Sequence, residues 1–274
     1  MKYAELVKKL LDAGSLEPES EALILLSHFF GIARAQVIAF GDREYPTDKL
    51  DPAVSRRSTG EPIQYIVGKA DFFGLEFKVS PDCLIPRFDT EVLCEELIRR
   101  LPQNAYFLEF CTGSGCIPIA VLKNRPDVRC TSVELFPETA AIAVENRELN
   151  GVSADTLEII VDDALCFDIN KYAGKLDAIV SNPPYIPTAI VDTLSTEVKC
   201  EPRAAFDGGA DGLIFYEKFV SYKDALKPGG FFAFEIGFDQ ADALCSLGRS
   251  AGLDVEIIRD YGKNDRVAIL KKND

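Results

Sequence analysis

A single histidine, His28, serves the whole 274-residue chain, and that scarcity removes two kinds of chemistry. A zinc site built on imidazoles and a triad that needs a histidine base both lack their ligands. Cysteine is not scarce, at eight residues, but no two of them form a Cys-x-x-Cys pair, so zinc-ribbon and thioredoxin-type motifs are missing too. Thiols scattered in this way are expected to be free, in a reducing compartment. No metal is expected. No stretch reaches the ~18 uninterrupted apolar residues of a membrane span, and the start of the chain has no apolar signal region; a cytoplasmic protein is the expectation. Basic residues are in deficit as well, 30 Lys and Arg against 44 Asp and Glu, for a net charge of −14. Duplex DNA or RNA ordinarily calls for a basic face that displaces phosphate counterions, and an anionic membrane surface makes the same demand. The deficit is spread along the chain: residues 1–66 hold eight Lys and Arg against ten Asp and Glu. Neither partner is expected. Internal repeats and low-complexity tracts are absent.

What is present is an ordinary globular composition, 47% hydrophobic and 27% charged, enough for a small and a large domain. Residues 1–66 read as helical. Leu6, Val7, Leu10 and Leu11 share a helical face. A second helix begins at Pro18, suited to a first turn, and Gly31 ends it in a left-handed cap; His28 within it is expected to be a packed or partly exposed helix residue. A third helix is predicted over 51–57. From Gly60 to Val79 the pattern changes to Pro, Gly, aromatics and alternation, which predicts a β-hairpin turning near Gly74. Residues 67–86 are therefore taken as a linker and 87–274 as the large domain. There, predicted strands at 106–110, 130–134, 157–161, 176–181, 230–236, 254–258 and 266–270 alternate with helices at 89–100, 115–124, 138–149, 212–226 and 239–248. That order predicts an α/β fold with a doubly wound, mostly parallel sheet. The short link before the last strand suits an antiparallel edge pair.

Two strand ends carry the chemistry. The first strand of the large domain runs into Glu109-Phe110-Cys111-Thr112-Gly113-Ser114-Gly115 before a helix. Glycines at such a turn let a ligand approach the backbone, and the helix start offers free N–H groups. Glu134, at the end of the second strand, can accept both hydroxyls of a ribose, and Asp163 stands at the end of the third, where an adenine edge would lie. Carboxylates here suit a neutral or cationic adenosine ligand and repel a polyphosphate. Pro118 occupies the place where a dinucleotide fold needs its third small residue, and no Gly-Lys-Ser/Thr marks a P-loop. S-adenosylmethionine is the cofactor these residues favour, with Glu109, Glu134 and Asp163 beside the glycine loop.

The fourth strand ends in Ser181-Asn182-Pro183-Pro184-Tyr185-Ile186. Successive prolines cannot extend a central strand, so the chain turns where ligands bind. An amide or aromatic amine nitrogen is a poor nucleophile because its lone pair is delocalised. The side-chain oxygen of Asn182 and the main-chain oxygen of Pro183 can accept hydrogen bonds from both N–H bonds of an NH₂ group, which aims the lone pair and supports positive charge developing on nitrogen. Pro183 and Pro184 stiffen the loop, and Tyr185 offers a flat face to a planar acceptor. No separate general base is apparent.

With these residues assembled, the chain resembles the HemK/PrmC family, which methylates the glutamine of the GGQ motif in peptide chain release factors. The resemblance runs through RRSTGEPIQYIVGKADFFGLEFKVSPDCLIPRFDTE, CTGSG, SNPPYI, EPRAAFDGGADGL and LKPGGFFAFEIG. It implies a seven-stranded class I methyltransferase sheet behind a small helical domain that helps grip a release factor. It implies that Cys111, Thr112, Gly113, Ser114, Gly115 and Glu134 hold S-adenosylmethionine, with Ala164 beside the adenine. It further implies that Asn182 contacts cofactor and acceptor, and that Asn182, Pro183, Pro184 and Tyr185 form the glutamine pocket. The chain is expected to act as a monomer. It departs from the family in Phe88, where a proline is common, in Glu109, one methylene longer than the usual aspartate, and in Ala164, where an aromatic can stack on adenine. A glutamine of a ribosomal protein, or the N6 of a flipped DNA adenine, are alternative acceptors, and a silent adaptor that keeps the fold is a further reading.

Overall fold

The computed structural model describes residues 1–273 and divides them into two compact units, Met1–Lys69 with Ser195–Glu201, and Ala70–Leu194 with the described residues from Pro202 on. No helix of the described residues is long and apolar enough to cross a membrane.

The smaller unit is helical: α1 (Tyr3–Asp12), α2 (Pro18–Phe30), α3 (Arg34–Ala39), α4 (Leu50–Ser58) and α5 (Ile63–Val67). Leu6 and Leu10 are fully buried against Leu25, Leu26 and Leu50, whereas Leu11 is 59% exposed; it sits about 100° round the helix from Leu10 and leaves the apolar stripe. Gly31 caps α2 at φ 64°, as its position predicts, and His28 is exposed with its ring edge-on to Phe29. Beneath these helices lies a buried ion pair: Arg57 Nε donates to both Glu21 oxygens at 3.0 Å, and its Nη2 reaches Glu197 at 3.1 Å. Two elements differ from expectation. α3 buries only Val37 and is too short to show a period. Ile63–Val67, assigned from its alternation to the hairpin region, is a helix because Pro62 opens it and Gly68, at φ 71°, closes it.

In the larger unit, β1 (Lys69–Phe72) and β2 (Leu75–Lys78) pair across Phe73 and Gly74, both at positive φ, the turn that matches strand twist. The main sheet has seven strands, β3 (Tyr106–Phe110), β4 (Arg129–Glu134), β5 (Leu157–Val161), β6 (Leu176–Ser181), β7 (Leu226–Glu235), β8 (Leu253–Arg259) and β9 (Asp265–Lys272), in the order β5-β4-β3-β6-β7-β9-β8. β3 to β7 are parallel; β9 runs antiparallel between β7 and β8. Helices α6 (Glu91–Arg100), α7 (Cys116–Asn124), α8 (Pro137–Leu149), α9 (Thr188–Val191), α10 (Ile214–Val220) and α11 (Ala241–Ser250) follow. Successive strand residues serve opposite cores: Phe107, Ala178 and Val180 pack on α6 and α7, while Leu108, Ile179 and Phe232 face Tyr216 and Phe219 of α10. Both faces are therefore dry, which is why these strands read as continuous apolar runs. α10 is shorter than predicted, because Gly212 sits at φ 80° before it and Leu226 is already paired with Leu176 in the sheet.

Candidate active site

Strand order reverses between β3 and β6, and the two sequence-predicted loops leave the C-terminal ends of those two strands. Ser181 Oγ donates to the Phe110 carbonyl at 2.8 Å, fixing the strand ends just before each loop departs. Between the loops opens a cavity of about 250 Å³. Its wall includes Cys111, Thr112, Gly113, Ser114, Glu134, Asp163, Ala164, Asn182 and Pro184, so most of the predicted site residues meet there. Glu109, Gly115, Pro183 and Tyr185 are not on that wall.

On the cofactor side the two loop glycines have different tasks. A Cβ on Gly113, at φ 57° and on the cavity wall, would meet nothing within 4 Å. A Cβ on Gly115 would press on Ile119 at 3.2 Å and Ala143 at 3.3 Å, so this glycine lets α7 close on α8 instead of facing a ligand. Glu134 Oε2 accepts from the Gly113 N–H at 2.9 Å, and Oε1 from the Leu135 and Phe136 N–H groups at 3.0 and 3.2 Å. Burial pushes this carboxyl up, against the pull of those three bonds. Asp163 Oδ1 accepts from the Leu165 N–H at 2.8 Å and shapes the turn after β5.

Glu109, expected to touch the cofactor, lies beneath the loop. Its alternation on β3 turns the side chain into the dry interior, where Oε2 accepts from Thr112 Oγ1 at 2.5 Å and Ser132 Oγ at 2.6 Å. Burial pushes this carboxyl up to about 7. It holds the loop from below. Asn146 of α8, which carries no signal in the sequence, does so from the side: its Nδ2 donates to the Ser114 and Lys78 carbonyls, and its Oδ1 accepts from the Lys78 N–H.

The residues of this wall fit S-adenosylmethionine. Gly113 is an open cradle, the Glu134 and Asp163 carboxylates stand at the ends of adjacent strands, and Val133, Phe136, Ala164 and Leu165 supply an apolar slot between them. Arg87 is the one cationic side chain among the described lining residues, a poor set for a polyphosphate.

The acceptor side is built on backbone. Gly208 and Gly212 lie so close to the loop that a Cβ would meet the Pro184 carbonyl oxygen at 2.7 Å and the Tyr185 carbonyl oxygen at 2.3 Å. This is the physical reason for glycine at those two places in EPRAAFDGGADGL. Gln240 completes the support, its Nε2 donating to the carbonyls of Tyr185 at 3.1 Å and Gly212 at 3.2 Å. Pro183 is buried. Asn182 Nδ2 donates to Thr90 Oγ1 at 3.3 Å, and the Tyr185 hydroxyl is turned to Glu235 Oε1 at 3.4 Å. Thr90 and Glu235 were not singled out in the sequence. Each closes a motif whose neighbours read simply as a helix start or a strand end. Four thiols near the sheet, Cys94, Cys111, Cys116 and Cys130, are pushed up by burial and stay neutral thiols. Among the described residues no group of His, Cys, Asp and Glu could hold a metal.

Residues 3–68 match the family described as the PrmC N-terminal domain, and residues 88–229 the methyltransferase small domain. The release factor glutamine methyltransferase of Caulobacter vibrioides is 36% identical over 276 residues, covering 97% of this chain and 93% of its own. That of Geobacter sulfurreducens is 39% identical over 249 residues, covering 89% and 86%. That of Escherichia coli is 35% identical over 262 residues, covering 93% and 92%. A solved methyltransferase from Pyrococcus furiosus shares the fold at 20% identity, with a TM-score of 0.55 over 74% of this chain and 91% of its own. With this identity sustained along almost all of its length, the chain belongs to the release factor glutamine methyltransferase family.

Proposed function

We infer that this protein methylates the side-chain amide nitrogen of the glutamine in the GGQ motif of peptide chain release factors; its relatives are named release factor glutamine methyltransferases. S-adenosylmethionine, when bound, supplies a methyl group on a positively charged sulfur that leaves with the bonding pair. Gly113, Glu134, Asp163 and Ala164 would hold it, the carboxylates taking its hydroxyl and amino groups and the apolar slot its base.

One observation carries the acceptor assignment: Asn182 sits on the wall shared with the cofactor loop, with its NH₂ committed to Thr90 and its Oδ1 left to accept. An acceptor NH₂ gripped by Asn182 Oδ1 and the Pro183 carbonyl presents its nitrogen lone pair out of the amide plane. The same two oxygens stabilise positive charge on that nitrogen before its proton passes to solvent. The backbone of residues 206–212 and Gln240 hold the loop in this shape before the acceptor arrives, so little reorganisation is needed. The helical unit is assigned the recognition of the release factor, matching as it does the PrmC N-terminal domain. The test is transfer of label from S-adenosylmethionine to purified release factor, ribosomes and DNA in turn. Label on the release factor glutamine is expected; label on DNA alone would overturn the assignment, and label on a ribosomal protein alone would move it to another glutamine.

A further inference from the structure

Glu235 closes β7 at the wall of the acceptor loop and is 2% exposed, and its Oε2 has no hydrogen-bond partner. Its carboxylate meets the Tyr185 hydroxyl at 3.4 Å, and the Thr90 hydroxyl, itself 2% exposed, stands near enough to favour its charged form. The same Thr90 oxygen receives the Asn182 Nδ2 at 3.3 Å. Three side chains from three elements thus stand in a row that ends on the residue assigned to grip the acceptor, and nothing in the mechanism above uses its far end.

We propose that Glu235, acting through Thr90, fixes which way the Asn182 amide faces, and is thereby a positioning residue for methyl transfer. This rests on the function proposed above. A side-chain amide turned by 180° exchanges its oxygen and its NH₂ with almost no change of shape, so packing alone does not choose between the two. Hydrogen-bond polarity does. The Thr90 hydroxyl has one hydrogen. An ionised carboxylate can only accept, so Thr90 spends that hydrogen on Glu235 and offers Asn182 a lone pair. Only the Asn182 NH₂ can use it, which leaves Oδ1 for the acceptor's NH₂. A protonated Glu235 reverses the chain: its O–H donates to Thr90, Thr90 donates to Asn182 Oδ1, and the amide turns its NH₂ towards the acceptor's NH₂, donor against donor.

The groups facing Glu235 leave it as the member that titrates. Arg266 from β9 favours its charged form and Asp89, beside Thr90, opposes it. Arg266 is itself shared with Asp89 at 3.3 Å and Asp260 at 3.1 Å. Cys94 of α6, Cys116 of α7, Tyr216 of α10 and Tyr185 are all pushed up by burial and remain neutral near pH 7. Glu235 itself is pushed up to about 7 by burial.

The test has two readouts, on wild type, Thr90→Val, Thr90→Ser and Glu235→Gln. The first is methylation of a release factor at saturating cofactor across pH 6–8.5, with cofactor affinity measured by equilibrium titration. Thr90→Val is expected to lower kcat ~10- to 100-fold with cofactor affinity within about 3-fold, and Thr90→Ser to restore most of the loss. Wild type is expected to lose kcat/KM as pH falls through about 7, and Glu235→Gln, which can accept or donate at any pH, to flatten that limb at a lower plateau. The second readout needs no acceptor: the side-chain NH₂ resonances of Asn182 should shift with pH in wild type, with the midpoint of the acid limb, and stay fixed in Glu235→Gln. Normal turnover in Thr90→Val, an acid limb that survives Glu235→Gln, or Asn182 resonances indifferent to pH would each overturn the inference. A wild type whose Asn182 resonances titrate but which leaves release factors unlabelled would sink the proposed substrate and keep the relay.

Discussion

Two buried glutamates flank the site and invite comparison, because they are alike in almost every respect except their partners. Glu109 and Glu235 are 0% and 2% exposed, each has one carboxylate oxygen without a partner, and burial pushes each up to about 7. Glu109 is gripped by two short hydrogen bonds from hydroxyls on the cofactor loop and β4. Glu235 takes one long bond from Tyr185 and has Thr90, a cation and an anion nearby. The first arrangement is a clamp: its partners are donors whose orientation nothing else disputes, so it fixes backbone. The second is a polarity setter, because its partner Thr90 passes on to Asn182 whatever hydrogen it does not spend. A buried charge can therefore make one half of a site rigid and the other half directional, and the partner's onward bonds decide which.

The sharpest way to break that division is at the two groups that face the ligands. Asn182→Ala removes the oxygen assigned to the acceptor NH₂ and should lower single-turnover transfer by at least ~100-fold, the scale of losing one preorganised charge-stabilising contact. Cofactor affinity, by equilibrium titration, should stay within a few-fold. Near-normal turnover would show that the acceptor is gripped elsewhere. Glu134→Ala is expected to do the reverse. It loses charge-assisted hydrogen bonds to the cofactor, about 1.5–3 kcal/mol each, and should weaken affinity ~10- to 100-fold while turnover at saturating cofactor changes little. It also frees the Gly113, Leu135 and Phe136 N–H groups, so restored affinity in Glu134→Gln would separate loop order from charge.

How much of this was legible in the sequence depends on what each residue's signal rests on. Strands β3, β5 and β6 fall at their predicted bounds because each is a short, largely apolar run; β3 and β6 are buried along almost their whole length, whereas β5 at the sheet edge is partly exposed. The two loops were legible because proline and glycine punctuate strand ends, and Glu134 because it terminates a run. Helix α5 was hidden by Ile63, Tyr65 and Val67, whose alternation mimics a strand although Ile66 between them is buried too; the Pro62 and Gly68 caps were the better guide. Glu109 was legible as part of the cofactor motif but not as the residue beneath the loop that bonds Thr112 and Ser132, since its spacing gives a place on a strand and not what lies below it. Thr90, Glu235, Asn146 and Gln240 act through partners far away in the chain, and no local pattern announces such contacts.

The smallest effect, and the one that tests the two glutamates against each other, is on stability. With one histidine in the chain, raised carboxyls dominate what titrates between pH 4.5 and 8. A carboxyl lifted in the folded state from 4.5 to about 7 binds its proton more tightly there than when unfolded. Its contribution is fully present below pH 4.5 and is lost as pH rises through 7, by up to about 3 kcal/mol for each group. The thermal midpoint of wild type should therefore fall between pH 5 and pH 8. Glu109→Gln keeps an acceptor for Thr112 and Ser132 and removes the charge, so it should flatten part of that fall and unfold a few degrees higher than wild type at pH 8, by scanning calorimetry. Glu235→Gln should flatten a similar part. Only Glu235→Gln should also flatten the acid limb of turnover, because only its charge chooses the direction of a catalytic hydrogen bond. If Glu109→Gln removed that limb as well, the clamp and the polarity setter would be one coupled network, and the two halves of the site would not be separable.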